Sequence, residues 1–332
     1  MTGLPIPEGL WGRYEAKYRP LHPPRALGDA GGISGGSLWH VSSPDGPLML
    51  RAWPEPGPGR PRIDQVHRWL LGLKRLSWVA APLGDRSGMT VQELAGRFWE
   101  LARFHPGRAD LDRPPGRTHL AAMFGALAEV HGELAHLTSL GPSPGLRVRA
   151  DELHRLAGFE LAEFDRVLRS SPDDETRHLA ARWLALAGPA APVVAPRVEG
   201  LAGETWNLQP VIRDVRPDHF LFDGDELTGL VDFGAMGVDT VATDLARLLG
   251  ETAGRGEQAR GVALDAYDAI RPISPRERAA IEVFEAANAV LGGARWVRWH
   301  FVDRRQFADP GAVQAGFRRT LDRLETSRLG PD

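Results

Sequence analysis

The sequence of 332 residues contains no cysteine, which excludes disulfides, thiolate nucleophiles and zinc–thiolate sites and fits a reducing compartment. Lysine is almost as scarce, because only Lys17 and Lys74 occur among the 40 basic residues. Any functional lysine must therefore be Lys17 or Lys74. At any other position where the chemistry needs a cation, arginine must supply it.

Long apolar runs are also missing. The most apolar window, residues 183–196, is interrupted by Gly188, Pro189, Pro192 and Pro196, and the N-terminus lacks the basic and apolar segments of a signal peptide. The net charge of −3 gives no basic footprint for nucleic acid. We therefore expect a soluble, cytoplasmic protein that binds neither membrane nor nucleic acid. The sequence leaves its oligomeric state open.

The first hundred residues read as strands with one helix. Apolar runs at 38–41 and 48–53 flank a Ser-Pro-Asp-Gly turn and predict a hairpin. Helical spacing over 63–76 follows, and then a strand pair at 90–94 and 97–101.

Beyond Pro106-Gly107 the apolar spacing is mainly helical. It predicts helices near 120–137, 150–168 and 174–186 and from Thr243 onward, with strands at 208–212, 219–222 and 228–231. The chain is longer than one hydrophobic core usually allows, so two lobes are expected. We predict an α+β fold with a small β-rich N-lobe at residues 1–101, a hinge at 102–107 and a large, mostly helical C-lobe at 108–332.

Two aspartates, Asp214 and Asp232, each follow a strand-like run, and a predicted hairpin separates them. Phosphoryl transfer needs such a pair: one aspartate accepts the proton of an attacking hydroxyl, and the other holds Mg²⁺ on the nucleotide. Each motif alone is weak, since aspartates at hairpin ends often cap backbone N–H groups. Arg-Asp at 213–214 and Asp-Phe-Gly at 232–234, in this order around strand–turn–strand, favour the catalytic interpretation.

These residues resemble the aminoglycoside phosphotransferase and choline-kinase-like family, which is related to the protein kinases. The central match is Ile212-Arg213-Asp214, His219 and Leu230–Gly234, and the run 237–246 resembles the family's Gly-x-Gly-Asp-Pro-x-x-x-Asp-Leu-Ala. The N-terminal part is similar as well: residues 32–35 to the phosphate-covering loop, 39–41 to the second strand, 48–51 to the third and 98–101 to the hinge strand. The resemblance implies a two-lobed, protein-kinase-like fold.

The resemblance also implies a kinase that transfers phosphate from ATP to a hydroxyl of a small molecule. Asp214 would be the catalytic base and Asp232 the Mg²⁺ ligand. Nucleotide contacts would come from the loop residues Gly32, Ser34 and Gly35, from the Arg51 cation, and from the backbone of Glu100 and Ala102. The simpler interpretations are a flexible turn for the loop, a solvated strand arginine for Arg51 and an ordinary interlobe strand for Glu100–Ala102.

Three departures from the family pattern bear on activity. Arg51 replaces a lysine, and residues 60–79 contain no glutamate, so Arg51 either lacks its usual ion-pair partner or uses Asp64. His219 replaces an asparagine that would be the second metal ligand. Mg²⁺ prefers oxygen ligands, whereas imidazole suits softer ions, so Mn²⁺ is an alternative metal. A catalytically weak or inactive nucleotide-binding protein with the same fold is the competing hypothesis.

The sequence does not identify the phosphate acceptor. Trp296, Trp299 and His300, with nearby arginines, are candidates for its pocket, although packing in a helical core is the simpler interpretation. His131 on the 120–137 stripe is expected to be structural or exposed.

Overall fold

The computed structural model describes residues 4–27, 36–109, 115–252, 256–305, 307 and 311–326. The chain divides into two compact units. The first takes in the described residues of Met1–Leu111 together with Asp218–Met236, and the second those of Asp112–Pro217 and Gly237–Asp332. The units are thus not two continuous stretches of chain, and the lobe boundaries at 102–107 stay a prediction.

The strands are β1 (Arg25–Ala26), β2 (Ser37–Ser43), β3 (Gly46–Ala52), β4 (Gln92–Leu94), β5 (Arg97–Arg103), β6 (Ser139–Gly141), β7 (Trp206–Val211), β8 (Phe220–Asp223), β9 (Glu226–Leu230) and β10 (Gly237–Asp239). The helices are α1 (Leu10–Arg13), α2 (Arg60–Gly72), α3 (Arg117–Leu134), α4 (Pro144–Arg155), α5 (Leu161–Arg169), α6 (Glu175–Ala202), α7 (Ala242–Thr252), α8 (Glu257–Asp268), α9 (Pro275–Val297) and α10 (Gly311–Thr326). Two π-helical turns, Leu156–Glu160 and Arg298–Val302, follow α4 and α9.

The first unit is built on an antiparallel sheet in the order β1-β2-β3-β5-β4. The predicted hairpin is confirmed as β2–β3, and the strand pair at 90–101 as β4–β5. Side chains alternate between the two faces of a strand, so Leu50 and Leu101 enter the core while Arg51 and Glu100 share the opposite face. The core contains Leu10 of α1 and the stacked pair Trp39 and Trp99.

The hairpin β8–β9 belongs to the first unit. Leu230 bridges to Val79, and Phe222 exchanges backbone hydrogen bonds with Arg108. Gly107 allows this approach, because its φ is 128° and a Cβ there would lie 2.4 Å from the Thr228 hydroxyl. The hairpin predicted between the two aspartates is confirmed.

The second unit is mainly helical, with a small sheet in the order β10-β7-β6. Strands β6 and β10 were not predicted. The longest helix, α6, packs against α4, α9 and α10. Trp183 of α6 is fully buried, and its indole N–H donates to the Val290 carbonyl on α9 at 3.1 Å. Gly293 makes room for the ring.

The predicted end of α6 near residue 186 was wrong. The helix runs to Ala202 with Pro189, Pro192 and Pro196 inside it. Each proline removes one backbone donor, but the apolar face buried against α4, α5, α9 and α10 offsets that loss. By length and composition, α6 is the one helix among the described residues that qualifies as a membrane span. Core helices pass the same test, and α6 contacts neighbouring helices through buried residues such as Trp183.

Gly293→Ala tests the packing of α9 on Trp183. A Cβ at this position would lie 2.3 Å from the indole ring, so we expect the free energy of unfolding to fall by about 1–3 kcal/mol despite the better helix propensity of alanine. Gly261→Ala in α8 is the matched control, because a Cβ there would meet nothing within 4 Å, and it should be neutral or stabilising by about 0.5–1 kcal/mol. Urea denaturation of both variants measures the difference, and equal stabilities would contradict this packing.

Candidate active site

The glycine-rich segment predicted to approach phosphates lies mostly outside the described residues. Gly32, Ser34 and Gly35 lie outside the described residues. The next residue, Gly36, is described, and a Cβ on it would lie 3.6 Å from Nε of Arg51. The chain that leaves the segment therefore runs directly beside the Arg51 side chain.

Arg51 has an ion-pair partner that the sequence did not suggest. Its Nη1 lies 3.9 Å from Oε1 of Glu100, the residue directly opposite it in the β3–β5 pair. Asp64 pairs instead with Arg60, at 3.4 Å. The usual partner, a glutamate of the following helix, is absent from α2 as expected, but the alternative that Arg51 uses Asp64 was wrong, because the strand register places the Glu100 carboxylate beside Arg51.

Glu100 lies at the centre of a buried polar network. Its Oε2 accepts a hydrogen bond from the Trp53 indole at 2.7 Å and contacts Nε2 of His67 at 2.9 Å. The other ring nitrogen of His67 lies 2.8 Å from the Thr90 hydroxyl. Burial raises the pKa of the Glu100 carboxyl, but the hydrogen bonds from His67 and Trp53 and the charge of Arg51 outweigh it, so the net pKa is below the ordinary value.

Asp232 follows β9 and has an exposed side chain. Its φ is 62°, a left-handed value that is uncommon for a residue other than glycine. Nε2 of the buried His219 lies 3.7 Å from Oδ2 of Asp232. The next residues are anchored within the same unit: Phe233 is buried, and Gly234 lies against the Trp53 ring.

Asp232 fits the role of a magnesium ligand. Mg²⁺ is usually held by one or two carboxylates together with waters and substrate phosphates rather than by a full protein cage. Within the described part of the chain, no group of three His, Cys, Asp or Glu residues gathers as a closed metal site. A single exposed carboxylate matches the open arrangement. His219 offers nitrogen, which matches magnesium less well.

Asp214 lies in the second unit, on a loop held by a buried carboxylate. Asp244 accepts hydrogen bonds from the backbone N–H groups of Ile212 at 2.7 Å and Arg213 at 2.6 Å. Arg213 has a φ of 68°. The side chain of Asp214 is 48% exposed, and one of its oxygens accepts a hydrogen bond from Arg247 at 2.8 Å.

Asp244 is itself held by a fully buried relay. Nε2 of His131 lies 3.1 Å from the Asp244 carboxylate, and Nδ1 lies 2.8 Å from the Tyr267 hydroxyl. Burial raises the pKa of Tyr267, so this hydroxyl keeps its proton. His131 thus links the Asp244 carboxylate to the Tyr267 hydroxyl through its two ring nitrogens.

Sequence reasoning missed the roles of His131, Tyr267 and Arg247. The available signal was a histidine on the apolar stripe of α3, because a buried polar group requires a partner. The prediction left open whether His131 is structural or exposed, and it is fully buried.

Asp239, Trp296 and Trp299, which the sequence also brought into consideration, have capping or packing contacts. Asp239 accepts hydrogen bonds from the Ser143 hydroxyl and the Gly145 N–H at the start of α4. Trp296 packs on α10, since a Cβ on Gly316 would lie 2.2 Å from its ring, and its ring contacts Trp299. These contacts favour the packing interpretation for both tryptophans.

Comparisons with known proteins agree with this geometry. A profile of the phosphotransferase enzyme family matches residues 30–281. A protein named homoserine kinase from Allorhizobium ampelinum is 32% identical over 223 residues, which are 63% of this chain and 60% of that protein. The match thus spans about three fifths of the length of this relative.

Solved structures with low sequence identity share the fold. An aminoglycoside phosphotransferase from Alicyclobacillus acidocaldarius has a TM-score of 0.66 at 15% identity, over 99% of this chain and 95% of that one. A spectinomycin phosphotransferase, solved in complex with ADP and spectinomycin, has a TM-score of 0.63 at 10% identity, over 93% and 94% of the two chains. The predicted protein-kinase-like fold, with a small β-rich lobe and a large helical lobe, is confirmed.

Asp244→Asn tests how the Asp214 loop is held. The substitution removes a buried charge and replaces one accepting oxygen by a donor, so we expect the free energy of unfolding to fall by about 2–4 kcal/mol. Hydrogen exchange at the amides of Ile212 and Arg213 should also accelerate. Asp265→Asn, at an exposed position on α8, is the control and should change stability by no more than about 0.5 kcal/mol. Unchanged exchange at the two amides would contradict the assignment.

Proposed function

This chain belongs to the phosphotransferase enzyme family, and from that membership we propose that it transfers the γ-phosphoryl group of ATP to a hydroxyl of a small molecule. The matched region, residues 30–281, includes every residue proposed for the reaction. The relative from Allorhizobium ampelinum is named a kinase, and the spectinomycin phosphotransferase was solved with ADP. Both support a nucleotide-dependent transfer.

One observation carries the proposal. Four described residues other than glycine have a positive φ, and two of them are Asp232 itself and Arg213, which directly precedes Asp214. Such backbone is costly, and it persists where the surrounding structure imposes it, often at functional sites. In both places buried neighbouring residues fix the backbone, while the side-chain carboxylate of Asp214 or Asp232 remains accessible. A group that contacts substrate must be accessible in this way.

Asp214 is proposed as the base. Its contact with Arg247 uses Oδ1 and leaves Oδ2 for the acceptor hydroxyl. As the hydroxyl oxygen forms its bond to the γ-phosphorus, its proton passes to Asp214, and the bond to the β-phosphate oxygen breaks to release ADP. Catalysis in this reaction is mainly positioning and charge stabilisation, which the rigidly held loop favours.

The nucleotide and metal are assigned to residues of the first unit. Asp232 is proposed as the principal Mg²⁺ ligand and His219 as the second, with Mn²⁺ as an alternative ion. A bound metal of this kind supplies positive charge that neutralises the phosphate oxygens. Arg51 and the loop residues Gly32, Ser34 and Gly35 are proposed to contact the phosphates, and the backbone of Glu100 and Ala102 the adenine.

The acceptor is proposed from the chemistry that the relatives' names share. Homoserine and spectinomycin both carry hydroxyl and amino groups, so L-homoserine, amino-alcohols and amino-sugars form the first panel to assay. Cytoplasmic location and the absence of membrane or nucleic-acid partners stay predictions from composition.

Binding of ATP without transfer to any acceptor is the second candidate function, favoured by the imidazole of His219 at the proposed metal position.

Asp214→Asn tests the base. Because the amide cannot accept the proton, we expect kcat to fall by about 10²–10⁴ while the Kd for ATP stays within about twofold. Turnover is measured as ADP release across the acceptor panel, with Asp265→Asn as the control that keeps full activity. Wild-type protein that binds ATP but turns over no acceptor would support the second candidate function. Equal turnover in Asp214→Asn would remove Asp214 from the mechanism.

His219→Asn tests the metal position. The variant supplies an amide oxygen, which Mg²⁺ prefers to an imidazole nitrogen, so the rate with Mg²⁺ divided by the rate with Mn²⁺ should rise by about three- to tenfold. His136→Asn, at an exposed histidine of the second unit, is the control and should leave the ratio unchanged. If His219→Asn also leaves it unchanged, His219 is not a metal ligand.

A further inference from the structure

The acid that would usually anchor the phosphate-binding cation is missing from α2. The only acidic residue of that helix is Asp64, and its carboxylate contacts Arg60 one turn away on the same helix. Kinases of this general design hold the strand cation with a glutamate from the following helix. A cation left without such a partner would sample many rotamers, since arginine has a long and flexible side chain.

The Glu100 carboxylate divides its two oxygens between two tasks. Oε1 faces Arg51, and Oε2 receives the Trp53 indole and His67. The Thr90 hydroxyl contacts the other nitrogen of His67 and thereby fixes its ring. The carboxylate is thus held by one residue that directly follows β3 and by one residue of α2.

Trp53 adds a second restraint on Arg51. The guanidinium carbon lies 4.1 Å from the Trp53 ring centroid, so the cation stacks on an indole that Glu100 itself orients. Another neighbour of this ring is Gly234, where a Cβ would lie 3.6 Å away. Helix α2 also contacts the segment that contains Gly234, because Arg62 donates a hydrogen bond to the Met236 carbonyl.

We propose that Glu100 replaces the missing glutamate of α2 as the residue that positions Arg51. His67 and Trp53 in turn hold the Glu100 carboxylate. The inference rests on the proposed function, because it assigns Arg51 to the phosphates of ATP. The anchoring carboxylate has moved from the helix to the strand, and the helix keeps its connection to the cation through His67. Glu100 is ionised at neutral pH, since its pKa lies below the ordinary value.

Titration calorimetry with ATP and Mg²⁺ tests this without knowledge of the acceptor. Glu100→Gln should weaken ATP binding by about five- to twentyfold, because the amide keeps the volume but loses the charge that orients Arg51. Arg51→Ala should weaken it similarly. In the double variant, Glu100→Gln should add less than about a further twofold, since Glu100 acts through Arg51. Asp64→Asn is the matched control and should bind ATP like the wild type.

The outcomes separate this inference from the proposed function. Wild-type protein that binds no ATP contradicts both. If the wild type binds ATP and Glu100→Gln binds it equally well, or if the two losses add fully in the double variant, the inference alone is overturned. A merely structural role of Glu100 would produce such additive losses.

A second variant covers the case in which Glu100→Gln fails to fold, which a thermal melt detects. Trp53→Phe keeps a ring beneath the Arg51 cation and removes only the indole N–H that donates to Glu100. ATP binding should weaken by about two- to fivefold in this variant. An unchanged Kd for ATP in Trp53→Phe would overturn the proposed arrangement.

Discussion

A buried carboxylate must have its charge compensated, and this constraint organises each part of the candidate site. Glu100 in the first unit and Asp244 in the second are both removed from water. An unpaired buried charge costs several kcal/mol, so each of these two carboxylates fixes the groups that satisfy it. Glu100 thereby fixes Arg51, Trp53 and His67. Asp244 fixes the backbone that leads to Asp214.

The need to compensate the charge of Glu100 accounts for two departures from the family pattern, the strand arginine and the helix without glutamate. An arginine in place of the strand lysine reaches across to the neighbouring strand, where the register puts Glu100 directly opposite. A helix without glutamate can then present His67, which hydrogen-bonds the same carboxylate. These changes form one rearranged network rather than separate losses. They support the proposal that the site binds nucleotide.

The run 237–246 contains two aspartates with different roles. Asp239 caps the start of α4 through Ser143 and Gly145, whereas Asp244 holds the Asp214 loop. Both are fully buried, and nothing in their spacing distinguishes a capping residue from one that supports the site. Only their partners, which lie about thirty to a hundred positions earlier in the chain, separate the two roles.

The sequence by itself determined the longer strands and most helices, the hairpins and the positions of the two candidate aspartates, because periodicity, turn residues and short motifs are local properties. It placed the end of α6 too early, since proline is a local signal and the burial that offsets it is not. The partner of Arg51, the histidine behind Asp244 and the arginine on Asp214 were decided only by tertiary structure. Strand register and helix packing bring together residues that are distant in the chain. The local sequence around either residue does not indicate such a hydrogen bond.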